Sequence, residues 1–325
     1  MRVAINGFGR IGRAVFKAAI ERGINVVAIN NPHGAEDSEY LLKYDSVYGR
    51  YDKKVESGKD FIKINGKKVI VIGERDVAKL PWKKLKIDVV VDATGAFRDG
   101  ESLSGHLKAG AKRVIVTAPS KGVDIVVVPG VNADKLRASH KIISVASCTT
   151  NALAPVTKIL DDAFKIKSEL MTTIHAYTDS QKLLGGSHKK RRRGRAAALN
   201  LIPTTTGASV AVESVLPKLK GDISGLAVRV PVAIVSLVDV VAEVKKPVSV
   251  DKVKSVFKKS ARGQYKGIVG YTEEDLVSSD FVGDTRSAIV DGQSIQVKGD
   301  LVKVLAWYDN EFGYSNRVVD VVGKL

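Results

Sequence analysis

A glycine pattern near the N-terminus constrains the fold more than any other feature of this sequence. Gly7, Gly9 and Gly12 form a G-x-G-x-x-G motif between a short β-branched run, residues 3–6, and an amphipathic segment, residues 11–22. In a strand–turn–helix unit, the first glycine allows a tight turn, the second lets a pyrophosphate approach the backbone, and the third lets the helix pack closely on the strand. The motif therefore predicts a dinucleotide site at the start of a βαβ unit.

The first 148 residues predict a doubly wound parallel sheet of the Rossmann type, because short β-branched runs alternate with helical patterns. These runs are residues 3–6, 25–29, 88–92, 113–116 and 141–145. Two alternating runs on either side of Asn65 and Gly66 predict a hairpin, which we interpret as an excursion within this domain.

Beyond residue 148 the strand patterns become longer, at residues 226–230, 234–244 and 301–307, and residues 250–259 form an amphipathic helical pattern. This pattern of longer strands and amphipathic helices predicts an α+β catalytic domain with a mixed or antiparallel sheet. The predicted division is a dinucleotide-binding domain at 1–148 and a catalytic domain at 149–310. A C-terminal helix at 311–325 is expected to pack back onto the first domain.

Composition excludes several classes of protein. The 325 residues are 44% hydrophobic and 27% charged, which excludes disordered and fibrous architectures. No apolar run is long enough to span a bilayer and no secretory segment opens the chain, so we expect a cytoplasmic protein without membrane contact. A single cysteine, Cys148, excludes internal disulfides and cysteine-rich metal sites, and no bound metal is expected.

The charge balance points to anionic partners. There are 52 basic and 35 acidic residues, giving a formal net charge of +17. Such an excess favours either polyanions or phosphorylated small molecules, and charge alone does not choose between them.

Cys148 and His175 are the candidate reacting residues. Cys148 follows a predicted strand and precedes a helical pattern at residues 152–163. A helix N-terminus favours a thiolate, and an imidazolium partner would lower the pKa of the thiol further. The other histidines, His33, His106, His140 and His188, lie in polar or turn-like surroundings. The alternative is an inert buried cysteine and a histidine whose ring is satisfied in a core.

Taken together, the motifs of this chain resemble those of phosphorylating glyceraldehyde-3-phosphate dehydrogenases. The likeness covers essentially the whole chain. The motifs are Asn6–Arg13 (NGFGRIGR), Leu42–Ser46 (LKYDS), Ser147–Asn151 (SCTTN), His175–Thr178 (HAYT), Pro203–Ala208 (PTTTGA), Arg229–Pro231 (RVP) and Trp307–Arg317 (WYDNEFGYSNR).

The resemblance implies that Cys148 attacks glyceraldehyde 3-phosphate to form a hemithioacetal, which is oxidised to a thioester and released by inorganic phosphate as 1,3-bisphosphoglycerate. His175 would activate the thiol and move the protons. The reaction is reversible, belongs to glycolysis and gluconeogenesis, and in this family is carried out by a homotetramer.

The resemblance also assigns binding residues. Those implied for the substrate phosphate are Thr178 and Arg229, and those implied for the attacking phosphate are Ser147, Thr149, Arg193, Thr206 and Gly207. Those implied for the cofactor are Gly7, Phe8, Gly9, Arg10, Ile11, Gly12, Asn31, Thr94, Gly95, Thr117, Ser187 and Asn310.

Two departures from NAD-preferring members favour NADP or dual use of NAD and NADP. Asn31 stands where an acidic residue would repel a 2′-phosphate, and Ser187 follows Gly186 where those members carry Leu-Pro. Ser187 is expected to act across a subunit interface. Asn31 is also a common turn former, and Pro32 offers no hydroxyl to the phosphate.

Two other functions remain open at this point. Erythrose-4-phosphate dehydrogenase shares the same Cys and His, so it is the closest enzymatic alternative. The basic run at residues 189–195 (KKRRRGR) makes an RNA-binding or polyanion-binding protein the alternative from another class. Nucleic acid is the less favoured partner, because basic runs are usually solvated faces.

Overall fold

The computed structural model describes residues 1–325 and divides the chain into two compact units. Unit 1 contains residues 1–127, 133–146 and 315–325, and unit 2 contains residues 128–132 and 147–314. None of the helices combines the length and apolar character needed to cross a bilayer. The division into a cofactor domain and a catalytic domain at residue 148 stays a prediction.

Unit 1 is built on a nine-stranded sheet. The strands of unit 1, of which β3 and β4 lie outside this sheet, are β1 (Val3–Asn6), β2 (Val26–Asn30), β3 (Tyr44–Asp45), β4 (Gly49–Arg50), β5 (Val55–Gly58), β6 (Phe61–Ile64), β7 (Lys67–Ile72), β8 (Val89–Asp92), β9 (Arg113–Val116), β10 (Ile125–Val126) and β11 (Ile142–Ser144). Its helices are α1 (Arg10–Glu21), α2 (Gly34–Lys43) and α3 (Gly100–Lys108), with short 3₁₀ turns at Val77–Lys79 and Ala133–Lys135.

The sheet order is β10-β11-β9-β8-β1-β2-β7-β6-β5, with β3 and β4 forming a separate pair. The strands from β10 to β7 run parallel, which confirms the predicted Rossmann-type sheet. The predicted hairpin at Asn65 and Gly66 is present as β6 and β7, and β7 pairs with β2, so the excursion extends the main sheet. Every residue of β1 and β8 is buried, as expected for central strands of a parallel sheet.

Unit 2 contains a seven-stranded mixed sheet. Its strands are β12 (Ile166–Ala176), β13 (Ile202–Thr205), β14 (Ile223–Val230), β15 (Ser236–Val244), β16 (Val269–Thr272), β17 (Ala288–Lys298) and β18 (Leu301–Tyr308). Its helices are α4 (Cys148–Phe164), α5 (Ala208–Val215) and α6 (Val250–Arg262), with 3₁₀ turns at Arg191–Gly194, Ala197–Leu199, Pro217–Leu219 and Ser278–Phe281. A last helix, α7 (Phe312–Val322), begins in unit 2 and is counted with unit 1 from Ser315 onward.

The order of this sheet is β13-β14-β12-β15-β18-β17-β16. The pairs β12–β14 and β16–β17 are parallel and the other pairs are antiparallel, so the predicted mixed sheet is confirmed. The alternating burial along β15 matches its alternating sequence, SLVDVVAEV, because one face of the strand packs against α4.

Helix α4 begins earlier than the sequence pattern indicated. Its predicted start was residue 152, whereas the helix begins at Cys148. The reason is local, because the Ser147 hydroxyl accepts a hydrogen bond from the Thr150 N–H at 3.1 Å and caps the helix. The capping places the only cysteine in the first turn of a 17-residue helix.

Candidate active site and dinucleotide site

The Cys148 thiol lies at the N-terminus of α4, where the free N–H groups and the helix dipole favour negative charge. Its side chain is half-buried. The Sγ atom is 3.5 Å from Nε2 of His175 and 3.9 Å from Oγ1 of Thr149. The structure therefore brings together the two residues that the sequence singled out as reacting partners.

His175 is oriented by the backbone next to it. The residue lies near the end of β12 and is 4% exposed. Its Nδ1 is 2.7 Å from the carbonyl oxygen of Ala176, which only accepts, and this shorter contact favours a proton on Nδ1 over the 3.0 Å contact with the Nη1 donor of Arg229. The lone pair of Nε2 is thereby directed at the Cys148 thiol. A neutral His175 in this tautomer is ready to act as a base.

Arg229 is the third member of this group. The parallel register of β12 and β14 pairs His175 directly with Arg229. The Nη1 group of Arg229 is 3.0 Å from Nδ1 of His175, and it donates to Ala176 O at 2.9 Å and to Thr178 Oγ1 at 3.3 Å. Its Nε is buried without a hydrogen-bond partner. A buried guanidinium with an unused donor suits an anionic ligand.

Burial and the arginine charges set the protonation of the pair. Burial, together with the charges of Arg229 and Arg193, lowers the pKa of His175 to about 3. Burial also raises the pKa of the Cys148 thiol, against the opposing effect of Arg229 and the hydrogen bonds at Thr149. Both directions favour a neutral thiol and a neutral imidazole when no ligand is bound.

This balance differs from the predicted imidazolium that holds Cys148 ionised. The loss of hydration that burial imposes on the two charges outweighs the attraction that they would gain from each other. His175 is therefore a neutral group that can accept a proton, and the ion pair between Cys148 and His175 is not preformed.

The hydroxyls of Ser147 and Thr149 are engaged by the protein itself. Ser147 Oγ lies 2.7 Å from Oγ1 of Thr150, and Thr149 Oγ1 lies 2.9 Å from the Tyr308 hydroxyl. Thr149 is 5% exposed. In this state both side chains organise the first turn of α4, so phosphate at this turn would meet mainly backbone N–H groups.

The other predicted phosphate residues lie on β13 and its neighbours. Arg193 donates from Nε to Oγ1 of Thr204 at 2.9 Å and from Nη2 to the carbonyl of Thr205 at 3.1 Å. Thr206 Oγ1 accepts the N–H of Ala208 at 3.2 Å. The exposed Gly207 lies immediately before α5, where a Cβ would meet no atom within 4 Å.

Sequence reasoning assigned no role to three hydroxyl residues of this site. The Tyr308 hydroxyl lies 2.8 Å from Oγ1 of Thr173 in addition to its bond with Thr149. The Ser236 hydroxyl donates to Oδ1 of Asn310 at 3.0 Å and accepts the Ala176 N–H at 3.1 Å. These bonds fix the amide of Asn310 and leave its N–H₂ group as the donor. The presence of Tyr308 in the WYDNEFGYSNR motif was the only available signal, because Thr173 and Ser236 look like ordinary strand residues.

In unit 1 the glycine loop has the shape of a pyrophosphate cradle. A Cβ on Gly7, whose φ is +88°, would lie 2.8 Å from the N atom of Thr94. A Cβ on Gly12 would lie 2.0 Å from the carbonyl oxygen of Gly7. At Gly9 a Cβ would meet nothing within 4 Å, so this side of the loop is open next to the N-terminus of α1. The residues present therefore fit a dinucleotide.

The side chains between these glycines support the loop. Phe8 is buried with its ring 5.6 Å from that of Phe16, and Arg10 pairs with Asp45 at 3.0 Å. Ile11 is half-buried. The contact surface that these three residues offer a cofactor is thus mainly their backbone.

Asn31 is engaged within unit 1. Its amide nitrogen donates to Asp37 Oδ2 at 3.0 Å and to Ser38 Oγ at 2.9 Å, and its Oδ1 accepts the His33 N–H at 3.2 Å. Both amide protons are thereby used for the turn that leads into α2. Ser187, by contrast, is exposed in a loop of unit 2.

Thr94, Gly95 and Thr117 follow the adjacent strands β8 and β9 at their carboxyl ends. This is the edge at which ligands bind in parallel sheets of this kind. Thr94 and Gly95 are exposed there, and Thr117 is half-buried with its N–H bonded to the carbonyl of Asp92 at 2.9 Å.

Comparison with known proteins gives a consistent result over the whole chain. Residues 1–100 match the family model of the glyceraldehyde 3-phosphate dehydrogenase NAD binding domain, and residues 147–310 match that of the C-terminal domain. Glyceraldehyde-3-phosphate dehydrogenase 2 of Bacillus subtilis is 53% identical over 99% of this chain and 96% of its own length. The enzyme of Geobacillus stearothermophilus is 51% identical over 100% and 98%, and glyceraldehyde-3-phosphate dehydrogenase 1 of Kluyveromyces lactis is 50% identical over 99% and 98%.

Proposed function

The chain belongs to the glyceraldehyde-3-phosphate dehydrogenase family, and from this premise we propose how its own residues carry out the reaction. It is an NAD-dependent oxidoreductase of glycolysis whose substrates are glyceraldehyde 3-phosphate and phosphate. The observation that carries the residue assignment is the group formed by Cys148, His175 and Arg229, with the thiol 3.5 Å from Nε2 and the guanidinium 3.0 Å from Nδ1.

Arg229 and Thr178 hold the phosphate of the substrate. The buried Nε of Arg229 has no protein partner, and the Thr178 hydroxyl lies 3.3 Å from Nη1. A bound dianion would satisfy this donor and offset the positive charge that holds down the pKa of His175. Substrate binding thus makes His175 a stronger base at the moment when the thiol must be deprotonated.

Cys148 is the nucleophile. As its sulfur bonds to the aldehyde carbon, the thiol proton passes to Nε2 of His175 and then to the substrate oxygen, giving the hemithioacetal. Bound NAD supplies the acceptor for the hydride that leaves this carbon. His175 takes the hydroxyl proton as the carbon becomes a thioester, and the imidazolium returns that proton as the Cys148 sulfur is displaced by phosphate.

The attacking phosphate binds at Ser147, Thr149, Arg193, Thr206 and Gly207, as family likeness implies. Two features support this assignment: the N-terminus of α4 offers N–H donors, and the Arg193 charge acts on both His175 and Arg229. In the NAD-binding role, Gly7, Gly9 and Gly12 receive the pyrophosphate, Thr94, Gly95 and Thr117 line the cofactor channel, and Asn310 orients the nicotinamide amide.

We infer dual use of NAD and NADP. Asn31 carries no charge to repel a 2′-phosphate, although its amide protons are bonded to Asp37 and Ser38, and the exposed Ser187 hydroxyl is available as a donor. The test is kcat/KM for both cofactors in the wild type and in Asn31→Asp. NADP turnover should fall about 10-fold or more while NAD turnover is kept. Unchanged NADP turnover would contradict our interpretation of Asn31.

The assembly we propose is a homotetramer in the cytoplasm, as family likeness implies. Support for this assembly comes from large apolar side chains that are exposed in residues 177–222, the segment of unit 2 that connects β12 to β14. They are Leu183, Leu184, Leu199, Leu201 and Val210, which are 69% to 84% exposed.

The deciding experiment compares steady-state rates with glyceraldehyde 3-phosphate and erythrose 4-phosphate, each with and without inorganic phosphate. We expect phosphate-dependent turnover of the first aldehyde. Phosphate-independent turnover of erythrose 4-phosphate would favour the alternative enzyme. A Cys148→Ser variant should lose turnover. If the wild-type protein had no dehydrogenase activity but bound RNA in a salt-sensitive way, polyanion binding through residues 189–195 would be favoured instead.

A further inference from the structure

A buried polar seam crosses the sheet of unit 1 at its ligand-binding edge. Asn6, Asn30 and Asp92 are the last residues of β1, β2 and β8, and the strand registers place them side by side. They are 2%, 4% and 1% exposed. Asn30 Nδ2 donates to Asn6 Oδ1 at 2.7 Å, and Asn6 Nδ2 donates to Asp92 Oδ2 at 2.8 Å. The centre of the seam is therefore the Asp92 carboxylate.

His106 joins this seam from α3. The sequence predicts polar or turn-like surroundings for His106, and the structure adds that its side chain is 0% exposed inside unit 1, next to the polar groups of Asn6 and Asp92. Its Nε2 lies 3.0 Å from Asp92 Oδ2, and its Nδ1 lies 2.9 Å from Nε1 of Trp82, which is also fully buried. The partners of His106 are 14 and 24 residues away in sequence, so local composition does not reveal them.

The contact with Trp82 fixes the tautomer of His106. An indole N–H can only donate, so Nδ1 of His106 must be the unprotonated, accepting nitrogen. Nε2 then carries the proton and donates it to Asp92. His106 is thereby held as a neutral imidazole that offers one donor to the carboxylate.

The other carboxylate oxygen of Asp92, Oδ1, stabilises the turn that follows β8. Oδ1 accepts the Thr94 N–H at 3.2 Å and the Thr94 hydroxyl at 2.8 Å, and Thr94 Oγ1 in turn accepts the Ala96 N–H at 3.1 Å. The same turn lies against the glycine loop, since a Cβ on Gly7 would be 2.8 Å from Thr94 N. The orientation of the Asp92 carboxylate thus determines the shape of the Thr94–Ala96 turn that borders the glycine loop.

We propose that His106 is a positioning residue for dinucleotide binding, which acts by holding Asp92 in the orientation that shapes the Thr94–Ala96 turn against Gly7. The inference rests on the dinucleotide role assigned to this site above. Four donors hold the carboxylate, two on each oxygen: Asn6 and His106 on Oδ2, and the two groups of Thr94 on Oδ1. Loss of the His106 donor leaves Asn6 as the single donor on Oδ2, so the carboxylate is held less firmly and the turn that it supports is less rigid.

A matched pair of amide substitutions tests the proposal. His106→Gln places an N–H₂ group near the position of Nε2 and keeps a donor to Asp92. His106→Asn is shorter, so its oxygen can accept from Trp82 near the position of Nδ1 but its amide does not reach Asp92. We expect the NAD Kd, measured by calorimetric titration of the full chain, to rise about 10-fold in His106→Asn and to stay within about 3-fold of wild type in His106→Gln.

A purely structural role predicts a different pattern. It would lower the unfolding midpoint of both variants without separating their NAD Kd values, so equal Kd values for the two variants would overturn the proposal. The alkylation rate of Cys148 without cofactor should match wild type in both, and His140→Phe, which changes another imidazole of unit 1, should bind NAD normally.

A further variant covers the case in which His106→Asn does not fold. Thr94→Val removes the hydroxyl that bonds to Asp92 and Ala96, and we expect the same rise in the NAD Kd. Wild-type affinity in Thr94→Val would contradict the proposal. A wild-type protein that fails to bind NAD would contradict the proposed function instead.

Discussion

At the scale of single residues, the proposed chemistry depends on how the imidazole of His175 is protonated. His175 donates a hydrogen bond from Nδ1 to the Ala176 carbonyl, and its Nε2 faces the only thiol of the chain. Burial and two arginines lower the pKa of the ring, so the proposed proton transfer from Cys148 requires an anionic ligand to be bound. This arrangement makes the reactivity of the sulfur depend on an occupied phosphate site.

Replacement of His175 by asparagine should remove the base and leave the phosphate site in place. We expect kcat for glyceraldehyde 3-phosphate to fall about 10²-fold to 10⁴-fold, with a smaller change in KM because Arg229 and Thr178 remain. Steady-state kinetics check this, with His140→Asn as the control. A kcat near that of wild type would show that another group accepts the thiol proton.

Replacement of Arg229 by glutamine should lower the turnover of phosphorylated aldehydes much more than that of unphosphorylated aldehydes. The variant loses the charge and the Nε donor at the phosphate site, so kcat/KM for glyceraldehyde 3-phosphate should fall about 100-fold or more. Turnover of unphosphorylated glyceraldehyde should fall much less. Arg192→Gln changes an exposed arginine of the same unit and serves as the control. Equal losses for both aldehydes would contradict the assignment.

The residues that sequence could and could not predict differ in a physical way. Cys148 and His175 carry chemistry that few residue types supply, so their positions were found from the pattern. Thr173, Ser236 and His106 depend on partners brought together by the fold, and no spacing in the chain encodes those partners. Asn31 was interpreted from its charge, whereas its hydrogen bonds to Asp37 and Ser38 required coordinates.

At the scale of secondary-structure elements, helix α4 sets the position of Cys148, the proposed nucleophile. Its first turn is fixed by Ser147, whose hydroxyl accepts the Thr150 N–H. Ser147→Ala should lower the free energy of unfolding by about 1 kcal/mol, because one N–H at the helix start loses its partner. Chemical denaturation measures this, with the exposed Ser139→Ala as the control. An unchanged stability would show that the cap is dispensable.

A buried carboxyl couples α4 to β12. Glu169 is 1% exposed and accepts a hydrogen bond from Thr157 of α4 at 2.9 Å. Burial, together with the nearby charge of Asp161, raises the pKa of Glu169 to about 7. The neutral Glu169 carboxyl therefore contributes its full stabilisation of the folded state below about pH 4.5, and this contribution declines as the pH rises toward 7.

The variant Glu169→Gln should lack this decline. At pH 8 we expect it to exceed wild type in stability by up to about 3 kcal/mol, and the difference should shrink below pH 5. Denaturation curves at several pH values provide the measurement, and Glu274→Gln, at an exposed position of the same unit, is the control. A stability difference that does not vary with pH would contradict the assigned titration.

At the scale of the whole molecule, the exposed leucines of unit 2 predict self-association. A tetramer would have four times the chain mass of 34.9 kDa, which light scattering coupled to gel filtration can measure. Leu184→Asp introduces a charge at a side chain that is 84% exposed, and it should lower this mass if the residue becomes buried between subunits. Val277→Asp, at another exposed apolar position, should leave the mass unchanged. A wild-type mass of one chain would contradict the proposed assembly.

The two sheets differ in how far the sequence predicted them. Alternating β and α patterns indicate a parallel sheet directly, so the central strands of unit 1 were predicted nearly residue by residue. The order of the seven strands in unit 2 was not predicted, because β12 and β14 are neighbours although β13 lies between them in sequence. Such pairing depends on contacts between distant segments, which local patterns do not contain.

The pairing of β12 with β14 has a consequence for how this family can change over time. Residues 177–222 separate the two strands, so insertions and deletions in that stretch leave the alignment of His175 with Arg229 intact. A slip of one position between the strands would instead bring Val228 or Val230 next to the imidazole and turn the guanidinium toward the opposite face. The alignment of His175 with Arg229 thus tolerates length changes in the connection but not within either strand, whereas the proposed phosphate residues Thr178, Arg193 and Thr206 confine such changes to other parts of the connection.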